Sequence, residues 1–305
     1  MFNNLFAQSG FTLDRLRTLC EVAEAGGMTK AAGGKQSRQG QFSRQVKELE
    51  MFFGTELLRR QGKSIRLSAA GVRLIKIARE CFSAFDDFYR DCKSEPIDCS
   101  IGAGDALLQW VLFPHLAQLR DAFPRVAFHL FSLRTLDIVE RVNDLRLDFG
   151  LVRKDAVSPR QNAELLGIQT YSLFVPIRLL GSRKHADWRE VMASVPLATI
   201  GGEGAFRANL DKEATKRKLR LNFSLSCSTF PEVAKALQSD KYAAILPSIA
   251  AAELDHNRFA AIATPFLKPQ DREIYLVWNP GITHLRPTTL VIKERLAKLL
   301  KLPTE

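Results

Sequence analysis

The sequence has little of what marks several common classes of protein. Its five cysteines show no C-x-x-C spacing, so we expect neither a disulfide framework nor a zinc cluster, and a reduced cytoplasm is the simplest location. No apolar run approaches the roughly 18 residues that a membrane span needs. Residues 1–11 contain no basic residue and no long apolar run, which argues against a secretory signal. These shortages favour a cytoplasmic globular protein that makes no membrane contact.

Motifs for catalysis are also missing. The five histidines are scattered, without a His-x₃-His pair or a cysteine partner. His129 lies within a predicted strand, where a histidine is more often a structural residue than a general base. The glycines at 201, 202 and 204 lack the spacing of a dinucleotide or phosphate loop. No G-x-S-x-G nucleophile elbow occurs. The sequence therefore predicts no enzyme, with no catalytic residue, metal or cofactor.

The positive charge of the chain is concentrated in one segment. Of the net charge of +11, residues 30–76 carry +8, from eleven Lys or Arg and three Glu, and the other 258 residues carry +3. A concentrated positive field favours binding to a polyanion such as DNA, through Coulomb attraction and counterion release. The alternative is a solvated basic face without a partner. At 305 residues the chain has room for a small basic domain and a larger one.

Three helices are predicted before residue 54. Apolar spacing predicts the first over residues 12–25, ended by Gly26-Gly27. Thr29 is expected to cap a short second helix that ends before Gly33-Gly34, a turn of the length found between crossed helices. The third helix is predicted over residues 38–53, beginning at Ser37 or Arg38. Its apolar stripe consists of Phe42, Val46, Leu49 and Phe53, with Gly40, Arg44 and Lys47 on the other side, flanked by Gln41 and Ser43.

A hairpin and a long helix follow. The alternation of apolar and polar residues within 59–67 predicts a short hairpin with Gly62 at its tip. Ser68 is a good N-cap for a helix that reaches about Cys92. A heptad seam of about 36 Å along this helix is longer than the small domain could cover, so we expect a partner chain; packing within its own domain is the alternative. The seam consists of Gly71, Ile75, Ala78, Phe82, Phe85, Tyr89 and Cys92.

From Pro96 onward, strands alternate with helices. This βαβ rhythm predicts parallel sheets with helices on both faces. Ligands of such sheets bind beyond the carboxyl ends of the strands. The expected strands are 97–103, 126–131, 149–152, 172–176, 223–226, 243–246 and 274–278, and the expected helices are 107–122, 138–145, 206–218, 231–237 and 288–301.

Residues 11–75 resemble the DNA-binding head of the LysR-type transcriptional regulators. The matches follow in fixed order without a gap, and the body matches more loosely. In the head they are Leu16-Arg17, Val22-Ala23, Thr29-Lys30-Ala31-Ala32, Gln39, Phe42-Ser43-Arg44-Gln45-Val46, Leu49-Glu50, Gly54, Leu57-Leu58-Arg59-Arg60 and Ile65-Arg66-Leu67-Ser68-Ala69-Ala70-Gly71. In the body they include Phe123-Pro124, Leu147-Asp148-Phe149-Gly150-Leu151-Val152, Ala244-Ile245-Leu246-Pro247 and Tyr275-Leu276-Val277-Trp278.

The resemblance implies an α/β protein with an N-terminal winged helix-turn-helix head (1–68), a long linker and dimerisation helix (69–95) and a two-lobed, periplasmic-binding-protein-like effector domain (96–305). Lobe one would span about 97–167 plus 268–305, and lobe two about 168–267. Such a protein binds double-stranded promoter DNA as a homodimer or homotetramer and responds to a small-molecule effector. The alternative is a solute-binding or sensor protein without a DNA-regulatory role.

The DNA-binding residues expected from the third helix and the wing are polar or basic side chains suited to base edges and phosphates. They are Thr29, Lys30, Arg38, Gln39, Gln41, Ser43, Arg44, Lys47, Arg59, Arg60, Lys63 and Arg66. The sequence departs from the family at the start of this helix. Lys35 replaces a core leucine and Gly40 replaces the familiar proline, so Arg38 is expected to read a different base sequence.

The effector-binding residues are expected at strand ends. They are Gly104, Asp105, Ala106, Thr135, Arg153, Gly202, Ser228, Thr229 and Pro247. Asp105, Thr135 and Ser228 are also candidate helix caps. We expect Asp105 to cap its own helix and so to occupy the positive helix end that a ligand acid would use. The effector would then present an amine or hydroxyl to Asp105, or its acid would bind Arg153 and Ser228-Thr229.

Overall fold

A computed structural model describes residues 3–61, 64–181, 187–202, 204–282 and 286–302. Lys63 and Gly62 lie outside the described residues. The chain forms two compact units, residues 1–95 with 284–286, and residues 96–283 with 287–305. Within the described ranges, no helix is both long and apolar enough to cross a membrane.

The first unit consists of helices and one hairpin. Leu16, Leu19, Val46 and Leu49, from two of the helices, are buried in its core together with Ile75 from the last helix. The elements are α1 (Asn3–Phe6), α2 (Leu13–Glu24), α3 (Met28–Ala31), α4 (Gln36–Phe53), β1 (Leu58–Gln61), β2 (Ser64–Leu67) and α5 (Ala69–Lys93).

Local signals explain where these helices begin and end. The Thr12 hydroxyl accepts the Arg15 N–H at the start of α2, and the Ser68 hydroxyl accepts the Gly71 N–H at the start of α5, as expected of N-caps. Gly54 ends α4 in the left-handed conformation. The expectation for Thr29 is wrong, because Gly27 occupies the N-cap position of α3 and Thr29 lies inside the helix. Helix α4 begins two residues before its predicted start, after Lys35.

The first half of the predicted seam on α5 packs inside its own unit. Gly71, Ile75 and Ala78 are buried, and a Cβ on Gly71 would lie 2.2 Å from the Leu57 carbonyl oxygen. Phe82 also packs against this core. The seam therefore splits: its first four members belong to the core of the first unit, and its later members, Phe85, Tyr89 and Cys92, are exposed.

The second unit contains two five-stranded sheets. Their strand orders are β4-β3-β5-β12-β6 and β11-β7-β10-β8-β9. The strands are β3 (Ile97–Ala103), β4 (Val126–Ser132), β5 (Phe149–Arg153), β6 (Asn162–Gln169), β7 (Tyr171–Pro176), β8 (Leu197–Ile200), β9 (Phe223–Cys227), β10 (Ala243–Pro247), β11 (Phe259–Ile262) and β12 (Arg272–Trp278). The α-helices are α6 (Asp105–Leu107), α7 (Leu116–Ala122), α8 (Thr135–Asn143), α9 (Ile177–Leu180), α10 (Trp188–Ser194), α11 (Ala205–Lys216), α12 (Phe230–Gln238) and α13 (Pro287–Leu299).

The sheets are mixed, which corrects the expectation of purely parallel ones. Strands β3, β4 and β5 are parallel, as are β8, β9 and β10. One strand in each sheet runs the other way: β12 is antiparallel to β5 and β6, and β7 is antiparallel to β10 and β11. The two reversed strands, β12 and β7, therefore begin at the edge where the other strands end and where α6, α8, α11 and α12 begin.

The helix predicted over residues 107–122 is interrupted. A π-helical stretch, Leu108–Leu112, and a 3₁₀ turn, Phe113–His115, separate α6 from α7. Pro114 lies in that turn, and a proline cannot donate the backbone hydrogen bond that a continuous α-helix requires. The π-helical stretch turns Trp110 into the apolar cluster of the other sheet, with Phe230 and Leu246. A π-helical segment is a frequent feature of functional sites.

Candidate nucleic-acid interface and ligand groove

The outward face of α4 is polar and basic. Phe42, Val46 and Leu49 are buried, as the predicted stripe requires. Phe53 is the exception, since it is about one third exposed and packs its ring against Phe11 and Phe52. The exposed positions on the other side are Gln36, Gly40, Arg44 and Lys47, and Met51, which is 73% exposed, follows at the C-terminal end of the same face. At about 100° per residue these four positions share one face.

Arg44 is exposed but oriented. Its Nε lies 2.9 Å from Glu48 Oε1 one turn along the helix, and Arg15 of α2 pairs with the other oxygen of the same carboxylate. The hydrogen bond from Arg44, followed by the one from Arg15, lowers the pKa of Glu48. Glu48 therefore stays ionised and holds a guanidinium group that is 82% exposed in position for an anion.

Arg38 is held against its own unit. Its guanidinium lies 3.6 Å from Glu21 Oε2 and stacks 5.1 Å from the centre of the Phe42 ring. It lines a polar hollow of about 250 Å³ together with Arg17, Gln41 and other residues of α2 and α4. To contact a base, Arg38 would first have to leave Glu21.

The remaining residues predicted to bind DNA lie around this face. Thr29 and Lys30 of α3 and Gln41 of α4 are exposed, and Gln39 and Ser43 are half-buried. In the hairpin, Arg59 pairs directly with Arg66, and Arg60 pairs with Ile65. Like charges directly opposite one another destabilise a hairpin. Glu56 Oε2 lies 3.6 Å from Arg59 Nε and offsets part of this repulsion, and an external anion would offset more of it.

The residues predicted to bind an effector lie where parallel strands end. In the sheet of β3, Gly104 follows β3 and precedes Asp105 and Ala106 of α6, Thr135 begins α8 after β4, and Arg153 ends β5. In the sheet of β8, Gly202 follows β8, Ser228 and Thr229 follow β9, and Pro247 ends β10.

Asp105 joins the two sheets. Its Oδ2 accepts the Phe230 N–H of α12 at 2.8 Å, across 125 residues of sequence. The expectation that it caps its own helix is wrong: the N-cap of α6 is Gly104, which makes no side-chain cap. Thr135 and Ser228 are not caps either, because Arg134 and Thr229 hold those positions. The anionic group expected at a helix N-terminus is thus present, but at the helix of the other sheet.

The N-terminus of α12 is satisfied by protein groups. Glu232 Oε2 accepts the N–H groups of Ser228 and Thr229 at 2.8 and 3.1 Å, and the Thr229 hydroxyl accepts the Glu232 N–H. This is a complete capping box. With Asp105 on Phe230, these amides are engaged before any ligand arrives.

Side chains that follow β3 and β10 also contact one another. Trp110 Nε1 donates to Glu253 Oε2 at 2.9 Å, and Gln109 Nε2 donates to Oε1 of the same carboxylate at 3.1 Å. The rings of Tyr171, Phe206 and Phe230 lie with centres 4.8–5.8 Å apart. Burial raises the pKa of Tyr171 to about 12, so its hydroxyl, which accepts a hydrogen bond from Gln169, stays protonated.

An open groove of about 470 Å³ lies beside Arg153. We call it the Arg153 groove. Three basic and three acidic side chains line it, together with two residues of α11. Lys154 Nζ lies 2.8 Å from Glu273 Oε2, whereas Arg153 Nε lies 3.4 Å from Asp155 Oδ1 and has no hydrogen-bond partner among the described residues. The lining residues are Arg153, Lys154, Asp155, Ala205, Asn209, Asp271, Arg272 and Glu273.

Of the predicted effector residues, only Arg153 lines this groove. Asp105 meets the helix that follows Ser228 and Thr229. Sequence reasoning missed Trp110, Tyr171 and Glu253, and it missed Asp271 to Glu273. Asp271 precedes β12, and Arg272 and Glu273 are its first two residues. The available signal was that the chain returns to the first sheet at this point.

Two family descriptions match the sequence of this chain. "Bacterial regulatory helix-turn-helix protein, lysR family" matches residues 13–72, and "LysR substrate binding domain" matches residues 98–297. The chain belongs to the LysR family. The first match contains α4 and the hairpin, and the second contains both sheets.

Curated LysR-family relatives match over part of their length. The chain is 29% identical over 143 residues to the HTH-type transcriptional regulator CysL of Bacillus subtilis, covering 46% of this chain and 48% of CysL. It is 29% identical over 152 residues to a probable RuBisCO transcriptional regulator of Thalassiosira pseudonana, covering 48% of each. The chain thus spans about half the length of these two curated relatives.

Solved LysR-family structures share the fold over nearly the whole chain. Full-length LysG of Corynebacterium glutamicum with bound effector Arg gives a TM-score of 0.66 at 15% identity, covering 96% of this chain and 100% of LysG. CbnR in complex with its target DNA gives 0.55 at 18% identity, covering 94% and 99%. At these identities the likeness shows the fold alone.

Proposed function

We propose that this LysR-family chain is a cytoplasmic transcription regulator that binds promoter DNA through α4 and the β1–β2 hairpin, and has no catalytic activity. The observation that carries the proposal is the outward face of α4. Its exposed polar side chains include Gln36, Arg44 and Lys47, and such side chains hydrogen-bond to bases and phosphates. The opposed Arg59 and Arg66 add a second cationic contact. CbnR, which shares the fold, is known in complex with its target DNA.

The experiment is capture of genomic DNA fragments by the purified chain, followed by anisotropy titration of a captured duplex at several salt concentrations. A DNA-binding regulator selects a reproducible sequence, and its affinity falls steeply with salt as phosphate counterions are released. A solute-binding protein without a DNA role would select none. Absence of an enriched sequence would refute the proposed function.

We propose further that the regulator is at least a dimer through the later part of α5. Phe85, Phe88 and Tyr89 are 56%, 69% and 58% exposed. Helical spacing places the three rings on one side of α5. A second copy of this helix would cover them, which is the usual way to bury an apolar stripe.

For the effector we propose the Arg153 groove as the binding region. Arg153 suits a carboxylate, and Asp155 and Asp271 suit an ammonium group. A small zwitterion such as an α-amino acid presents both groups. Of the two contacts expected to hold an acid together, Arg153 and Ser228-Thr229, the second is disfavoured because Glu232 already accepts those N–H groups. LysG, which shares the fold, holds an arginine effector.

A further inference from the structure

The positive charge of residues 96–305 is concentrated at the end of α11. Residues 212–220 contain five Lys or Arg and one Glu, which gives a net charge of +4. The other 201 residues of 96–305 contain 23 Lys or Arg and 21 Asp or Glu, which gives only +2. The second unit thus carries a local excess of positive charge that its overall composition does not explain.

Two of these five cations are engaged within the unit. Glu213 Oε2 lies 3.2 Å from Arg217 Nε, and its Oε1 lies 3.8 Å from Lys216 Nζ. Arg217 also donates to the Pro265 carbonyl oxygen at 3.4 Å. Lys216 and Arg217 are therefore held by groups of their own unit.

The other three cations, Lys212, Lys218 and Arg220, are exposed. Helical spacing places Lys212 on the side of α11 opposite the buried Leu210. Leu219, which lies between the other two in the chain, packs against the core of its sheet. The three side chains make no hydrogen bond or ion pair with any residue that the structure describes. We call these three side chains the Lys218 surface.

Lys218 occupies a backbone position that suits glycine. Its φ is 53°, and it follows the C-cap of α11. Its N–H donates to the Thr215 carbonyl oxygen, and the next N–H, of Leu219, donates to that of Ala214. Glycine is the usual residue at such a helix end, because a side chain is disfavoured in the left-handed region. Glycine would form this helix end with less strain, and the lysine adds a positive charge at the surface.

The composition of the Lys218 surface favours phosphate groups over a protein partner. Protein interfaces are enriched in aromatic side chains and depleted of lysine. Among the described residues of 178–289, no large hydrophobic side chain is exposed, so the surface lacks an apolar centre. Flexible cations without apolar neighbours suit the sugar–phosphate backbone of DNA, which they bind through charge and without reading its sequence.

We propose that the Lys218 surface is a second DNA-binding surface, which contacts phosphates of the DNA that flanks the sequence selected by α4. The inference rests on the proposed DNA-binding function and extends it to the second unit. Because these contacts are to phosphates, they add affinity and salt dependence but no sequence preference. A duplex limited to the selected sequence lacks them.

The test uses the full chain and two duplexes that contain a sequence selected by the wild type from a random pool. The core duplex ends at that sequence, and the long duplex continues on each side for about 20 base pairs, roughly 70 Å. The wild type should bind the long duplex about ten-fold more tightly at roughly 0.1 M salt. The slope of log affinity against log salt should be steeper for the long duplex by about 2–3 per chain, because about three more phosphates are neutralised.

Two variants remove the Lys218 surface. Lys212→Gln, Lys218→Gln and Arg220→Gln combined should lose the preference for the long duplex, while affinity for the core duplex changes less than about two-fold. Lys218→Gly alone should reduce the preference about two-fold. Its melting midpoint should stay equal or rise by up to about 3 °C, since glycine suits the left-handed position. A loss of DNA binding in this variant is therefore not a loss of fold.

A matched variant removes the same charge elsewhere in the second unit. Arg160→Gln, Lys235→Gln and Lys241→Gln combined, at three exposed side chains, should keep the preference for the long duplex. Equal losses in this variant and in the triple variant of the Lys218 surface would refute the inference, because net charge rather than this surface would then govern binding.

The remaining outcomes separate the inference from the proposed function. A wild-type chain that selects no duplex refutes the proposed function itself. A wild type that selects a sequence but binds its core and long duplexes equally refutes only the Lys218 surface. A triple variant that keeps the wild-type preference also refutes it, and an acidic protein would then be the partner to test.

Discussion

The polar groups of the two units are used in opposite ways. On the outward face of α4 the basic side chains of Arg44 and Lys47 point to solvent, and Arg44 is 82% exposed while its Nε pairs one turn away with Glu48. Between the two sheets the polar groups are paired with each other over long stretches of sequence. Asp105 reaches Phe230, and Trp110 reaches Glu253, 143 residues away. The outward face of α4 is therefore able to bind an external partner, whereas the polar groups between the two sheets are already largely hydrogen-bonded to one another.

This difference explains what each surface can do. An exposed cationic side chain gains most of its interaction energy when a polyanion binds to it. The outward face of α4 is therefore suited to binding a separate, negatively charged molecule. A carboxylate already on a helix N-terminus must be displaced before a ligand anion binds there, at the cost of that hydrogen bond. The Arg153 groove differs from that helix N-terminus, because Arg153 Nε is not hydrogen-bonded to any described residue.

The largest effect is expected from Gly71→Ala, which breaks the first unit from inside. Its Cβ would lie 2.2 Å from the Leu57 carbonyl oxygen, so backbone has to move at an expected cost of about 2–4 kcal/mol in the free energy of unfolding. Thermal denaturation followed by circular dichroism measures it. Gly40→Ala is the matched variant and should not lower the melting temperature. Equal melting of Gly71→Ala and wild type would show that α5 does not pack as described.

The next effect concerns the apolar stripe of α5. Phe85→Asp combined with Phe88→Asp places two charges where a second copy is expected, so we expect the mass by light scattering to fall to that of a smaller assembly. Phe82 is not a suitable position, because it packs against the core of its own unit. Val291→Asp, at a side chain 56% exposed on α13, is the control and should leave the mass unchanged. An unchanged mass for the double variant would remove α5 as the dimer contact.

A smaller effect is expected from Arg44→Ala. DNA affinity should fall about ten-fold, since one good base or phosphate contact contributes about 1–3 kcal/mol, while stability changes by less than about 0.5 kcal/mol because the side chain is exposed. Anisotropy titration and thermal melting measure the two quantities. Arg217→Ala is the control, because Arg217 makes the same kind of one-turn pair, with Glu213 at 3.2 Å, in the second unit. Equal loss in both variants would mean that general charge, rather than α4, governs binding.

The same difference between the two units explains how much of the structure could be predicted from the sequence. The stripe of Phe42, Val46 and Leu49 and the basic face opposite follow from residue spacing along one helix, so α4 and its exposed side were predictable. The Asp105–Phe230 bond depends on how two sheets pack, and no local pattern encodes a partner 125 residues away. The mixed sheets were missed because β6 and β12 pair through long-range contacts. The apolar seam on α5 is periodic along its whole length. Periodicity alone does not show which part of the seam packs inside its own unit and which part is exposed.

The smallest effect, and the one that best tests the contrast, is expected from Asp105→Ser. Loss of the charge-assisted hydrogen bond to the Phe230 N–H should lower the stability of the second unit by about 1–2 kcal/mol. It should also release that N–H for an external carboxylate. Simple monoacids such as acetate and benzoate should then raise the melting temperature of Asp105→Ser but not of the wild type, with DNA affinity in the absence of ligand little changed.

Asp137→Ser, at an exposed aspartate in the first turn of α8, should show neither effect, because Asp137 does not engage α12. If monoacids stabilise the wild type as much as Asp105→Ser, then Asp105 does not guard the N-terminus of α12. The wild-type effector would in that case be an acid held at α12, and the zwitterion proposed for the Arg153 groove would be wrong.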